Sequence, residues 1–419
     1  MLQLRNANLI KILFYFIFLI PFLLVSGPFL PDFALSFVSL IFIILVIKEK
    51  KWNILNDIYV YFFLIFFIFI NISAFFSIDQ FQSFKSVLFY FRFVIFFVAF
   101  NYIFKKINKS GNIFFNFLFV LSLIVIFDSL LQYFFGFNIL GMEQIKEKNS
   151  VLSQGHGDRV TGLFGKDEVL GSFLSKLLPI LLAFYFFIKK DKINTKLVLF
   201  ILTIFLLSTF ISGERAAFIQ ILIFTSIFFI LVDFNQKKKI LFVFLLFASF
   251  IIISVISYDS DKKLRMIDSV YKNFKQGNIF SQYHQSHYIT GYRMFVDKPI
   301  LGHGPKSFRL MCNNKKYNYN EYSCSTHPHN TYIQLLSENG IIGFLPILFL
   351  FIYVCFMLAK YFLIKIFKKK NIYESHIVII LIGLFVYLWP ISPNGNFFNN
   401  WLSILFFLQI STFNYFKKN

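Results

Sequence analysis

The sequence predicts an all-α polytopic membrane protein, and three observations support this fold class. Hydrophobic residues make up 58% of the chain, more than in ordinary soluble domains. Apolar runs of about 20 residues recur along the whole sequence, which is the length that a helix needs to cross about 30 Å of hydrocarbon. Lysine-rich clusters separate these runs, and such clusters mark the cytoplasmic side of a membrane. The net charge of +21 therefore reflects membrane topology rather than a nucleic-acid partner.

Twelve apolar runs predict twelve transmembrane helices. In chain order they cover residues 8–27, 29–47, 55–77, 84–104, 113–135, 169–188, 197–212, 215–234, 239–258, 331–364, 376–392 and 398–415. The tenth run is longer than one crossing requires, so we expect this helix to begin above the membrane or to tilt.

Six basic clusters fall on the same side of the twelve predicted spans, which places that side and both termini in the cytoplasm. The clusters are Lys48 to Lys51, Lys105 to Lys109, Lys189 to Lys196, Lys237 to Lys239, Lys365 to Lys370, and Lys417 with Lys418. The outer side receives the other polar segments, which are 136–168, Ser212 to Arg215, 259–330 and 393–397. The chain thus divides into helices 1–9 (1–258), a large outer loop (259–330) and helices 10–12 (331–419).

The stretch from Thr326 to Phe344 passes from a polar segment directly into an apolar helix, so His327 and His329 are expected where water meets membrane. Pro328 and Asn330 are helix-start signals. The N-terminal end of a helix favours anions and disfavours protonation of a nearby imidazole, so a neutral histidine here can act as a base. The alternative is that both histidines only cap the helix. His327, Asn330 and His303 are also candidate substrate-binding residues.

Two arginines are candidates for binding an anionic leaving group. Arg215 ends the tight outer corner that begins at Ser212, and its guanidinium matches phosphate or carboxylate. The alternative is a topogenic charge paired with Glu214. Arg293 precedes a turn at Gly302 to Pro305 that could fold the outer loop back towards His329. Two cations around one neutral histidine suit transfer of a group from a diphosphate.

Weaker candidates lie elsewhere on the outer side. In the glycine-bearing loop 153–171, His156, Arg159 and Lys166 are candidates for contacting an anion, and the alternative is ordinary turn chemistry. Arg92 and Asp128 each lie about 12 Å deep in a predicted helix at 1.5 Å per residue, where they could meet. For Arg92 we favour a functional role, and for Asp128 we favour a structural role as one half of an ion pair between neighbouring helices.

Three cysteines and several absent motifs complete the pattern. Cys312 and Cys324 share the outer loop, so they can form a disulfide if that loop faces an oxidising compartment. Cys355 lies in an apolar run and is expected to be inert. The sequence has no Asp-x-Asp, no His-Glu-x-x-His and no phosphate-binding Gly-x-x-x-x-Gly-Lys-Ser/Thr motif. No metal, nucleotide or other cofactor is therefore indicated.

These motifs resemble the O-antigen ligase and O-antigen polymerase superfamily, bacterial membrane glycosyltransferases that use undecaprenyl-diphosphate-linked glycans. The resemblance rests on His329 and Asn330 followed, after nine intervening residues, by Gly340 and then Gly343. The corner Ser212 to Arg215, the segment of Arg293, Pro299, Gly302 and Gly304, and the number of predicted spans also match this family.

The resemblance implies a helical fold of the C-type glycosyltransferase class, working without metal at the outer face of the bacterial inner membrane, with the 259–330 loop in the periplasm. It implies that His329 activates the acceptor hydroxyl. Arg215 and Arg293 would hold the donor diphosphate, with Arg159 and Arg92 as weaker helpers. Attack would invert the anomeric carbon and release undecaprenyl diphosphate.

Members of this superfamily differ mainly in their acceptor. A ligase transfers the glycan to lipid A-core, a polymerase joins it to a second lipid-linked repeat, and related enzymes transfer it to protein. The intact histidine and asparagine pair favours a ligase, with a polymerase as the alternative. A flippase for lipid-linked oligosaccharides is the alternative from another class, but transporters usually place binding groups at the bilayer midplane and contain internal repeats. No such repeat is visible in the sequence.

Overall fold

The computed structural model describes residues 2–144, 159–190, 192–234, 280–368 and 374–418, together with isolated positions between 236 and 275. Within these residues the regular elements are helices, apart from one bridge between Phe137 and Glu143. The α-helices are α1 (Leu2–Leu23), α2 (Phe29–Glu49), α3 (Ile58–Phe75), α4 (Gln80–Val87), α5 (Phe91–Lys106), α6 (Ser110–Phe135), α7 (Leu170–Lys189), α8 (Thr195–Ile211), α9 (Arg215–Leu231), α10 (Gln282–Asp297), α11 (Phe308–Met311), α12 (Thr331–Lys368), α13 (Ser375–Tyr387) and α14 (Asn400–Lys417).

The helices confirm a polytopic membrane protein. Among the described residues, seven helical segments are long and apolar enough to cross a membrane: Ala7–Ser26, Phe29–Glu49, Ile58–Phe75, Gln80–Lys106, Ser110–Phe135, Leu170–Lys189 and Thr331–Phe367. Helices α8, α9 and α13 are apolar but shorter. The predicted ninth span, 239–258, lies mostly outside the described residues, and so do His156 and most of 259–279. The predicted twelfth span corresponds to α14, which is buried along nearly its whole length.

Helix α7 lies at the centre of the bundle. It contacts α6, α8, α9, α13 and α14, and nearly all of its residues up to Phe186 are buried. Its closest neighbour is α13, because a Cβ atom on Gly383 would lie 2.4 Å from Cβ of Pro179. Lipid tails are as apolar as leucine, so helices in a membrane associate through close packing at small residues of this kind.

Helix α12 is broken near its N-terminal end, at Gly340, which has φ 61° and ψ −165°. The break frees backbone groups that a continuous helix would pair, and the outer loop supplies their partners. The N–H of Ile341 donates to the carbonyl of Pro299 at 2.8 Å. In the other direction, the N–H groups of His303 and Gly304 donate to carbonyls of α12 at 3.1 and 2.7 Å. The length of the predicted tenth span is thus explained by two helical parts, with the outer loop docked at their junction.

Two serines from other helices fix the docked segment from the opposite side. Ser73 Oγ of α3 contacts the carbonyls of Leu301 and Glu338, at 2.7 and 3.0 Å. Ser83 Oγ of α4 donates to the carbonyl of Pro305 at 2.8 Å. Because α3, α4 and α12 all bind it, the turn at 299–305 is held in one position at the end of the bundle where α12 begins.

Arg92 and Asp128 do not meet, which corrects the expectation from their equal depth. Arg92 Nη2 donates to Asp32 Oδ1 of α2 at 2.6 Å. Asp128 is fully buried and accepts a hydrogen bond from the backbone N–H of Ile139 at 2.9 Å. Each group has a local partner, because a charge in the membrane requires compensation close by.

Candidate active site

A cavity of about 600 Å³ opens where the docked loop meets the helical bundle. Its walls come from the corner before α2, the segment before α7, the corner before α9, the outer loop and the corner before α14. Its ionisable lining residues include Lys176, Glu214, Lys306, Arg309, His327 and His329. Pockets of this size that combine apolar walls with a few convergent polar groups are the usual form of a binding site.

His329 lies in the cavity wall just before α12. Its backbone has a left-handed φ of 57°, an uncommon conformation for a residue other than glycine that concentrates at functional sites. The carbonyl of His329 accepts from the N–H of Asn394 at 2.9 Å, and its ring Nε2 lies 3.0 Å from Ser325 Oγ. Burial lowers the pKa of the His329 imidazole below its ordinary value. The ring is therefore neutral near pH 7, as a general base requires.

Three further histidines surround this ring. The ring centroid of His329 lies 4.0 Å from that of His327, 5.3 Å from that of His287 and 5.4 Å from that of His284. Burial, and then the ring of His329, lower the pKa of His327 to about 3 and that of His287 to about 4. The described residues contain no group of three or more His, Cys, Asp or Glu side chains in a metal-binding arrangement. The rings of His287, His327 and His329 therefore form a packed set of neutral imidazoles.

Sequence reasoning missed His284 and His287. Both belong to α10, three residues apart, which places them on one face of that helix. The face is directed at α12, since a Cβ atom on Gly291 would lie 2.6 Å from Ile333. The signal in the sequence was therefore the i, i+3 histidine spacing, but only the packing of α10 on α12 joins it to His329.

Lys306 and Arg309 form the cationic side of the cavity, and they were also missed. Lys306 has a left-handed φ of 61°. Burial, and then the neighbouring Arg309, lower its pKa. The Nε atom of Arg309 is buried without a hydrogen-bond partner. Arg309 also lowers the pKa of His327 and so lies within its electrostatic reach. These two cations, beside the histidines, can receive an anionic group.

A disulfide joins the two arms of the loop that carry these residues. Cys312 and Cys324 are bonded, with their Cα atoms 5.1 Å apart. Cys312 follows Arg309 at the end of α11, and Cys324 precedes the histidine pair. The bond therefore fixes the cationic arm against the arm that carries His329.

Arg293 lies outside the cavity lining. It is on an exposed face of α10, where Nη1 donates to the carbonyl of Asn318 at 2.6 Å and the guanidinium lies 5.4 Å from the centre of the Tyr319 ring. Helix α10 places His284 and His287 beside the His329 ring, whereas Arg293 lies on an exposed face of the same helix.

Arg215 and Arg159 flank the cavity. Arg215 is the first residue of α9, and both of its sequence neighbours line the cavity. Arg159 forms an ion pair with Glu168, which also lines it. Lys166, the other basic candidate of this loop, is exposed and does not line the cavity.

Glu214 has a local partner of a different kind from the one considered in the sequence. Its carboxylate accepts from the backbone N–H groups of Gly171 at 2.6 Å and Ser172 at 3.0 Å, at the start of α7. Burial raises the pKa of Glu214 to about 7, against the opposing effect of these two donors, Arg159 and Lys176. Glu214 thus joins the corner before α9 to the N-terminus of α7.

Asn330 and His303 have structural contacts. Asn330 caps α12, as its sequence position predicts, because Oδ1 accepts from the N–H groups of Tyr332 and Ile333 at 3.0 and 3.1 Å. Its Nδ2 donates to the carbonyl of Pro390 at 2.7 Å. His303 is buried in the docked turn, with Nε2 3.1 Å from the carbonyl of Met294. Neither side chain lines the cavity.

Comparison with known proteins agrees with the expectation from the motifs. Residues 197–348 match the model of a family described as O-antigen ligase. The matched stretch runs from α8 into α12 and includes Glu214, Lys306, Arg309 and His329. No curated protein gives a significant match. Over these residues the chain is similar to the O-antigen ligase family, which supports the superfamily that its histidine and asparagine motif predicted.

Proposed function

We propose that this protein is a glycosyltransferase of the bacterial inner membrane that transfers a glycan from undecaprenyl diphosphate to a hydroxyl group of lipid A-core. The family match supports ligase chemistry. The cavity supports the donor class, because cationic residues and a neutral histidine share one space at the membrane end of the bundle. In this proposal the cavity faces the periplasm and both termini lie in the cytoplasm, as the lysine clusters predict.

The proposed reaction is a single displacement. His329 takes the proton of the acceptor hydroxyl as the acceptor oxygen bonds to the anomeric carbon from the face opposite the diphosphate. The bond between that carbon and the diphosphate oxygen breaks with both electrons on the oxygen. Lys306 and Arg309 stabilise the negative charge on the departing diphosphate. The product is inverted at the anomeric carbon, and undecaprenyl diphosphate leaves.

The flanking arginines have separate proposed roles. Arg215 and Arg159 carry positive charge at the cavity rim, where they attract the anionic donor. Arg293 acts through the fold of the loop, because it holds the segment of Asn318 and Tyr319 against α10.

One observation carries the proposal: His329 and Arg309 line the same cavity, and both come from arms of the loop that the disulfide connects. The test uses the full-length protein in lipid nanodiscs, a polyprenyl-diphosphate-linked glycan and lipid A-core, with release of undecaprenyl diphosphate as the readout. His329→Ala should lower the rate by about 10²- to 10⁴-fold. The matched control is His376→Ala, because His376 is also buried but does not line the cavity. Full activity of His329→Ala refutes the assignment of the base.

The acceptor is tested by gene deletion. If the protein is a ligase, lipid A-core from the deletion strain lacks all long glycan. If lipid A-core instead carries a single repeat, the protein is a polymerase and the proposed acceptor is wrong.

A further inference from the structure

The α7 side of the cavity contains a third cation, Lys176, which the proposed reaction does not use. The side chain is 4% exposed and lines the cavity. Its Nζ donates to Ser172 Oγ at 2.8 Å and lies 5.4 Å from the centre of the Tyr387 ring. Within the described part of the chain, no carboxylate lies within ion-pair distance of this ammonium.

Glu214 interacts electrostatically with Lys176, but the two side chains do not form an ion pair. Its two oxygens already accept the N–H groups of Gly171 and Ser172. Burial favours the neutral form of this carboxyl, and its pKa is raised to about 7. A buried ammonium in a membrane helix is costly and marks a functional site by default. The cavity is the open side from which an anion can reach Lys176.

The cations of the cavity come from two elements, because Lys306 and Arg309 belong to the outer loop and Lys176 to α7. Lys306 and Arg309 are electrostatically coupled to each other, and Arg309 to His327. Lys176 is coupled to Glu214 on the α7 side. Three neutral polar side chains next to Lys176 are joined by hydrogen bonds. Ser175 Oγ lies 3.1 Å from Gln220 Oε1, and Gln220 Nε2 lies 2.9 Å from Ser392 Oγ. Such a surface suits sugar hydroxyls around one bound anion.

We propose that Lys176 is a second anion subsite of the cavity, which binds a phosphate or carboxylate group of the substrate at the wall formed by α7. The inference rests on the proposed function and makes its substrate class more specific. The anion is either a phosphate of the lipid carrier or a carboxylate on an acidic sugar of the glycan. In both cases the Lys176 ammonium donates a charge-assisted hydrogen bond to an oxygen of that anion.

Binding to the full-length protein in nanodiscs tests this subsite without turnover. The probes are undecaprenyl diphosphate without sugar, the same carrier with a neutral disaccharide, and the carrier with a disaccharide that contains a uronate. Lys176→Met should weaken binding of at least one probe by about 10- to 100-fold. Equal weakening of all three assigns the carrier phosphate, and weakening of the uronate probe alone assigns the sugar carboxylate. Unchanged binding of all three overturns the subsite.

Two further variants separate binding from folding. Methionine removes the buried charge at similar length, so a ligand-binding role predicts that Lys176→Met keeps or raises the melting temperature, whereas a structural role predicts a fall. Lys176→Arg keeps the charge and should retain folding and measurable binding. Lys298→Gln is the matched control, because Lys298 is exposed and does not line the cavity. If the wild type binds through Lys176 but transfers no glycan, the proposed function fails and the subsite stands.

Discussion

Gly340 and Ile300 approach so closely that a Cβ atom on Gly340 would lie 2.2 Å from the Ile300 carbonyl oxygen. This contact joins the break in α12 to the turn that carries the outer loop. Gly302 makes the reciprocal approach, since its added Cβ atom would lie 2.4 Å from the backbone of Glu338. The glycine of the family motif is therefore required by the docking of the loop.

Gly340→Ala should displace the docked turn and lower both stability and transfer. The left-handed φ alone costs about 1–3 kcal/mol, and the contact with the Ile300 carbonyl adds to it. Gly136→Ala is the control, because Gly136 also has a positive φ, 85°, but no atom within 4 Å of an added Cβ. The melting temperature and the transfer rate should both fall further for Gly340→Ala than for Gly136→Ala. Equal effects of the two variants would show that the docked turn adds nothing.

Arg309→Ala should lower kcat/KM for transfer by about 10- to 100-fold, because one charge-assisted contact to the donor diphosphate is lost. Arg293→Ala should have a much smaller effect, because Arg293 lies outside the cavity lining and contacts Asn318 and Tyr319. The pair compares two arginines of the same loop. The reverse order of effects would return the diphosphate role to Arg293.

The pH dependence of kcat/KM should have its acidic limb below about 6.5, the ordinary pKa of histidine. Burial lowers the pKa of His329, so the free base persists as the pH falls through 6.5 and is lost only at lower pH. His287 and His327 have lowered pKa values as well, so their rings stay neutral in this range. Initial rates at subsaturating donor between pH 4.5 and 8 measure the limb. A midpoint above 6.5 would exclude His329 in this environment as the base.

Loss of the disulfide should loosen the two arms of the loop. The bond spans 12 residues of sequence, for which loop closure is worth about 2–3 kcal/mol. Cys312→Ser and Cys324→Ser should lower the melting temperature and transfer by similar amounts, and the double variant should be no worse than either. Without reductant, thiol labelling of the denatured wild type should modify Cys355 alone. Labelling of Cys312 or Cys324 would contradict the bond.

Local signals identified His329 and Asn330, because a cap and a change from polar to apolar sequence are properties of neighbouring residues. The membrane class followed from composition and run length in the same way. Lys306 and Arg309 escaped prediction because they reach the cavity only through the docking of the loop on the break in α12. His287 escaped prediction because only the packing of α10 on α12 brings it to His329. Arg293 was preferred because it precedes the turn, and its sequence position does not show which face of α10 it occupies. Asp32 was missed as the partner of Arg92 because helix rotation, not depth, selects the pair.

The cavity wall includes Gly27 and Pro28 near the start of the chain and Asn394 to Asn396 near its end, far outside the 197–348 stretch. A chimera that exchanges only that stretch between two relatives would therefore combine His329 and the outer loop of one protein with cavity walls from another. Exchange of substrate preference by recombination requires the first and last corners to travel together with the loop.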